Sequence, residues 1–179
     1  MFAVIPPTES EPRIVDDFIR HLNRLLKRHN AARNGDDRLR LRVAAHVGVV
    51  SAADNGFAGE PAVVVGRLLD SAPLRAAIAA ADDAHLALLL SRDVYQGTVA
   101  GGYTTVEPSD FRQVKIQVKK YSGEAWLFVP GADVHGLDLP EATGAAEAAP
   151  SAKTAGQVVH TVFHGDVRLD GGVIGISNN

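Results

Sequence analysis

The sequence predicts an α+β domain, a mostly antiparallel sheet with helices on one face, followed by a flexible linker and a short C-terminal β-motif. Three observations carry this. Apolar residues recur at helical spacing over 14–26 and at strand spacing over 39–43, so both periods occur in one chain. The segments mix without a strict βαβ rhythm, which disfavours an all-parallel sheet. Composition then changes along the chain: 1–131 alternates periodic segments, 132–156 is mostly Ala, Gly, Pro, Glu and Asp, and 157–179 turns β-branched and glycine-rich.

Each element follows from its residues. Met1 to Ile5 is a short apolar run stopped by Pro6-Pro7, as at a strand end. Ser10 stands where a helix N-cap belongs and Pro12 falls in the first turn. Ile14, Phe18, Leu22, Leu25 and Leu26 then form one apolar stripe, while Arg20, Arg24, Lys27 and Arg28 lie off it as a solvated face. Leu39, Leu41 and Val43 alternate with Arg38, Arg40 and Arg42, a half-buried strand. From Val43 to Val50 the run is apolar on both faces, as in a central strand. Ser51 to Gly59 has loop chemistry, and Val63–Leu69 and Pro73–Ala80 read as helices. Leu86–Leu90 is a short buried strand, after which Ser91 caps a helical turn ending near Gly97. Phe111–Lys119 and Ala125–Val129 flank Ser122-Gly123 and pair as a hairpin.

The two remaining segments differ in kind. Residues 132–156 hold too few large apolar groups to offset chain entropy, which predicts a flexible linker. In 157–179, Val158, Val159, Val162, Phe163, Val167, Leu169, Val173, Ile174 and Ile176 are threaded through glycines, a strand–turn–strand pattern with Asp170-Gly171 as the turn. A lone hairpin is marginal in water, so this motif must dock on its own domain, add to a partner's sheet or stack on copies of itself. Gly172 to Asn179 is uncharged, β-prone and free of proline, the composition of a steric-zipper segment. Its layout resembles the short amyloid-type signalling motifs at the termini of some bacterial immune and effector proteins.

Composition excludes several function classes. The chain of 179 residues is 46% hydrophobic and 22% charged, with a net charge of −3. That balance lacks the basic excess of a general nucleic-acid binder. With no cysteine there is no disulfide scaffold, thiolate zinc site, iron–sulfur cluster or thiol catalysis. No apolar run approaches the ~20 residues of a membrane helix, and the N-terminus lacks a basic n-region, so a cytoplasmic protein without membrane contact is expected. No GxxxxGK[ST] or GxGxxG loop is present, and no Ser/His/Asp triad follows from spacing. His160 and His164 are four apart, but their β-branched setting argues against a helical metal site. His46, on an apolar strand, reads as a buried, hydrogen-bonded histidine, and Asp82-Asp83 as a turn.

The order of segments resembles the class III nucleotide cyclases. Arg42-Val43-Ala44-Ala45-His46-Val47-Gly48 is similar to that family's R-I-G-I-H-x-G strand, and Gly59 with Val63-Val64-Val65-Gly66-Arg67-Leu68-Leu69 to its G-x-x-V-N-x-A-A-R-L helix. Leu88 to Tyr95 resembles the strand and helix that follow, and Ala125-Trp126-Leu127-Phe128-Val129 the closing hairpin. The likeness covers roughly 1–130 and implies a ferredoxin-like cyclase-homology fold that pairs as a homo- or heterodimer. It also implies catalysis by two aspartate-held metal ions, with a helix Arg and Asn at the transition state.

This chain departs from that pattern. Met1 to Ile5 resembles the family's third strand, so both metal aspartates and the first strands would precede residue 1. Val63 stands where the family has Asn, Gly56 where it has the purine-contacting Asp, and Arg67 alone matches, as a vestigial phosphate contact beside Gly59. The residues alone favour a surface ion pair of Arg67 with Asp70 or another acid over that phosphate contact. The resemblance with its losses implies a non-catalytic module for dimerisation or partner binding, without a cofactor, joined to a recruiting C-terminal motif. Two alternatives stand beside it. One is an active or weakly active class III cyclase using Mg or Mn with ATP or GTP, if the protein extends upstream. The other is a regulatory nucleotide-binding domain without turnover.

Overall fold

A computed structural model describes residues 2–53, 56–140 and 169–178. They form a mostly antiparallel open sheet of β1 (Phe2–Val4), β2 (Leu41–Ala53), β3 (Gly56–Ala58), β4 (Leu86–Ser91), β5 (Arg112–Val118), β6 (Tyr121–Phe128) and β7 (Leu169–Asn178). The strand order is β1-β7-β2-β4-β6-β5, with β3 paired to β2. The β2–β4 pair is parallel, and the other ladders are antiparallel. The α+β class therefore holds.

Helices lie on both faces of this sheet, which corrects the expectation of one. Alternate residues of β2 and β4 enter different cores. Ala44, Val50, Ala87 and Leu89 pack with α3 (Glu60–Leu69) and α4 (Ala72–Ala80). Val43, Ala45, Leu86, Leu88 and Leu90 pack with α2 (Ile19–Asn30), the π-helical turn Ile14–Phe18 that follows α1 (Glu11–Arg13), and α5 (Arg92–Gly97). The reason lies in the strands themselves: β4 is buried at every position, and each large side chain so buried contributes roughly 1.5–3 kcal/mol. Leaving either face bare would forfeit several such terms.

The apolar stripe before and within α2 is narrower than its spacing predicts. Val15, Ile19 and Leu26 are buried, whereas Phe18 and Leu25 stay 43% and 44% exposed. Ser10 holds the extended N-cap conformation but makes no side-chain cap bond. The far end of α2 is fastened by Asn30, whose amide donates to the Leu39 carbonyl and accepts from the Leu39 N–H, both at 2.8 Å. That two-way clamp fixes where the chain enters β2.

The β5–β6 hairpin turns at Lys119-Lys120, not at Ser122-Gly123: Val118 pairs with Tyr121 and Lys119 takes φ 54°. Gly123 serves a close approach instead, since a Cβ there would lie 3.1 Å from the Tyr121 hydroxyl. Packed chain runs past residue 131. Val134 and Leu139 are buried, and Arg112 donates to the Leu137 carbonyl at 2.7 Å. The rest of the expected linker, 141–156, lies outside the described residues.

The C-terminal motif departs most from expectation. Leu169–Asn178 is one uninterrupted strand: Asp170 lies opposite Val49 and Gly171 opposite Gly48, so Asp170-Gly171 is not a turn. The long edge of β2 offers ten successive partners, Leu41 to Val50, and an extended ladder satisfies more backbone groups than a local turn. Of the three placements left open by the sequence, the structure has docking on the protein's own domain. Residues 157–168 lie outside the described residues.

Asp16 ties the first helical segment to the loop after α5. It is only 5% exposed; its Oδ2 accepts from the Thr105 amide at 2.6 Å and hydroxyl at 2.7 Å, and its Oδ1 lies 2.5 Å from Arg20 Nε. Burial alone would raise its pKa, but the Thr105 bonds and Arg20 together hold it below the usual value of 3.8. A carboxylate depressed on folding stabilises above its unfolded pKa and loses that contribution as pH falls through its folded one. Asp16→Asn is expected to cost about 1–3 kcal/mol at pH 7, with the gap to wild type closing below pH 4 in urea melts. A gap that stays constant down to pH 2.5 would contradict this role.

Candidate functional site

The residues that resemble the cyclase helix all fall on or before α3. Gly59 is its N-cap, with φ 126° and ψ 166°, a region open to glycine alone. A Cβ at Gly59 would also come 3.4 Å from the Val49 carbonyl oxygen. Its role is thus visible in the backbone, where it turns the chain from β3 into α3. Val64, Val65 and Leu68 face the core, whereas Val63 is 55% exposed. Arg67 lies one turn beyond Val63 and is half-buried, and among the described residues no salt bridge joins it to Asp70. Gly56, in β3, sits opposite Ala53 of β2 with φ 118°. The structure therefore brings Val63 and Arg67 onto one helix capped by Gly59, and among the described residues no side-chain hydrogen bond or salt bridge joins Arg67 to another group.

Sequence reasoning gave Arg42 no role of its own, and the structure gives it one. It is 9% exposed and donates to the Leu69 carbonyl at 3.2 Å, at the C-terminal end of α3. Burial first, then Arg75, draw its pKa below the usual value, against Asp70. Its neighbour Arg40 donates to the carbonyls of Ile78, Ala81 and Ala84, closing the end of α4. Arg40, just before β2, and Arg42, within it, are thus helix-end donors.

A polar corner forms where β2, β4 and β6 meet α3. His46 is half-buried, and among the described residues its Nδ1 has no hydrogen-bond partner, contrary to the expected satisfied histidine. Burial pulls the imidazole below its usual range, against Asp93 and Glu60. Ser91 is 4% exposed, and its hydroxyl is likewise unpartnered. It occupies the N-cap position of α5 yet makes no cap bond, which overturns the capping role read from sequence. Tyr121 lies nearby on β6; burial, then Asp93, raise its phenol. No spacing in the sequence announces this group, because its members come from three strands and two helix starts.

A separate cleft of about 600 Å³ opens at the other end of the sheet, lined among others by Lys27, Arg38, Asp82, Asp83 and His85. Asn30 Nδ2 lies 3.2 Å and Arg38 Nη2 3.4 Å from His85 Nδ1, so Nδ1 accepts and the neutral ring carries its proton on Nε2. Burial, then Arg38, Lys27 and Arg40, depress its pKa. The expected turn at Asp82-Asp83 is present and borders this cleft. Among the described residues no three His, Asp or Glu side chains converge as a metal site; His160 and His164 lie outside them. No helix among the described residues is long and apolar enough to cross a membrane.

Comparison with known protein families, with curated proteins and with solved structures finds no match.

Gly59→Ala is expected to lower stability by about 1–3 kcal/mol in thermal or urea melts, since its backbone conformation strains any L-residue. A melt unchanged from wild type would show that the corner into α3 relaxes, leaving the glycine without a structural reason.

Proposed function

We propose that the chain is a non-catalytic, cyclase-like module for dimerisation or protein-partner binding, with its C-terminal strand as the recruiting element. The observation that supports this most directly is the seat of β7. The strand 169–178, separated from Pro140 by 28 residues, fills an inner position of the sheet and is the only partner of β1 among the described strands. Pairing of this kind is made by main-chain bonds, so the seat tolerates a like strand from another chain. The 28 residues of connecting chain span at most about 100 Å, ample reach to a second copy. The aliphatic Val63 in place of an Asn, and the lone Arg67, support the non-catalytic half of the reading. Both rest on the resemblance to class III cyclases and its ferredoxin-like fold.

The chain has no cysteine, so Val49→Cys with Asp170→Cys, antiparallel partners across the β2–β7 ladder, gives a single reporter disulfide. A tethered strand competes at an effective concentration on the order of millimolar, so protein concentration is raised into that range before oxidation. Interchain disulfide dimers that grow with concentration are expected, together with self-association in sedimentation equilibrium. Intrachain disulfides alone, with a monomer throughout, would sink the dimer reading. Incubation with Mn and ATP or GTP is expected to yield no cyclic nucleotide, and product formation would overturn the non-catalytic half.

A further inference from the structure

Parallel pairing makes β2 and β4 start at one end of the sheet, and β6, antiparallel to β4, ends there. The cleft of about 600 Å³ opens at that end, between the entries to β2 and β4, the chain leaving β6 and the last turns of α2. Its size falls within the roughly 300–1,000 Å³ of small-molecule pockets. The walls are fastened without any ligand. Arg40 donates to the Ala81 and Ala84 carbonyls and so pins the segment that leads into β4. Arg38 donates through Nη1 to the Asp82 carbonyl at 3.3 Å and through Nη2 to His85 Nδ1 at 3.4 Å.

The proton on His85 is fixed by the backbone. Asn30 clamps Leu39 with both ends of its amide, which leaves its Nδ2 only a donor's role toward His85 Nδ1. The Nε2–H then has no acceptor among the described residues, and it is not one of the buried unpartnered atoms, so it reaches solvent. Lys27 and Arg38 line the same cleft as cations, and Asp82 and Asp83 line it as exposed carboxylates. Among the described residues no ion pair joins these opposite charges. Arg38, Lys27 and Arg40 act on the imidazole against Asp83 alone, so the potential at the ring is positive. The cleft thus carries a cationic, N–H-donating pole and an anionic pole that do not neutralise each other.

We propose that this cleft binds a small zwitterion, an amino-carboxylate whose carboxylate accepts from His85 Nε2–H, Lys27 and Arg38 and whose ammonium donates to Asp82 and Asp83. A simple anion would meet two carboxylates, and a simple cation would meet Lys27 and Arg38. A ligand of one sign therefore gains one pole and is repelled by the other. A zwitterion gains both, through charge-assisted hydrogen bonds. Free α-amino acids, ω-amino acids and short peptides share this chemistry and differ in the distance between their charges, which the probes vary. This site is independent of the strand-pairing reading.

The test is calorimetric titration of the full chain at neutral pH and constant ionic strength, paired with ¹⁵N imidazole spectra of His85. L-Alanine, 4-aminobutyrate and glycylglycine are the zwitterionic probes, and acetate and methylammonium carry one charge each. At least one zwitterion is expected to bind about fivefold or more tightly than either singly charged probe and to shift His85 Nε2. The tightest of the three assigns the charge separation. Lys27, Asp82 and Asp83 are exposed, so their substitution leaves the core untouched. Lys27→Gln is expected to weaken zwitterion and acetate alike, by about threefold. Asp82→Asn with Asp83→Asn is expected to weaken the zwitterion yet strengthen acetate, erasing the discrimination. Acetate or methylammonium matching every zwitterion, or no binding of any probe up to about 50 mM, would overturn the proposal. So would a double variant that binds the zwitterion as wild type does.

Discussion

The constraint on which this structure depends is the double burial of β2. Val43 and Ala44 are fully buried on opposite faces, so the strand needs cover above and below. Its backbone edges must also be paired for thirteen residues. β4 takes one edge over Leu41–Ala45, and β7 is paired along Leu41–Val50. The rest follows: α2 and α5 cover one face, α3 and α4 the other, and β1 is held through β7 alone among the described strands. The terminal segment is therefore part of the fold's centre, although the sequence places it far from its partners.

The charged residues around β2 serve the same arrangement. Arg40 and Arg42 spend their donors on the carbonyl ends of α4 and α3, and Asn30 fixes the entry to the strand. Two of the buried polar atoms without a hydrogen-bond partner among the described residues, His46 Nδ1 and Ser91 Oγ, lie at the opposite end, where β2 outruns β4. Gly59 contributes a glycine corner at the start of α3, and Arg67 an arginine without a salt bridge among the described residues.

Much of the fold was legible from periodicity. The strands at 41–50 and 86–91, the helices in 60–80 and the final hairpin all follow from spacing and turn residues. The errors have physical causes. Reading β2 as apolar on both faces already required helices on both sides, a consequence that the α+β pattern alone does not supply. Ser122-Gly123 looked like a turn because glycine marks turns and close approaches alike, and only the Tyr121 ring over Gly123 separates them. Asp170-Gly171 misled in the same way, since a glycine facing Gly48 across a ladder reads locally as a turn. The polar corner was not legible at all: Ser91 has the sequence setting of an N-cap, and its idle hydroxyl depends on strands β2 and β6 arriving beside it.

Amide hydrogen exchange of the full chain, read on peptides covering 41–50 and 169–178, tests the central claim most directly. Strong, matched protection of both segments, lost from both when Gly175→Pro removes a ladder donor, is the result this account predicts. Rapid exchange in 169–178 while 41–50 stays protected would contradict it, because β2 would then be paired by something other than the C-terminal strand.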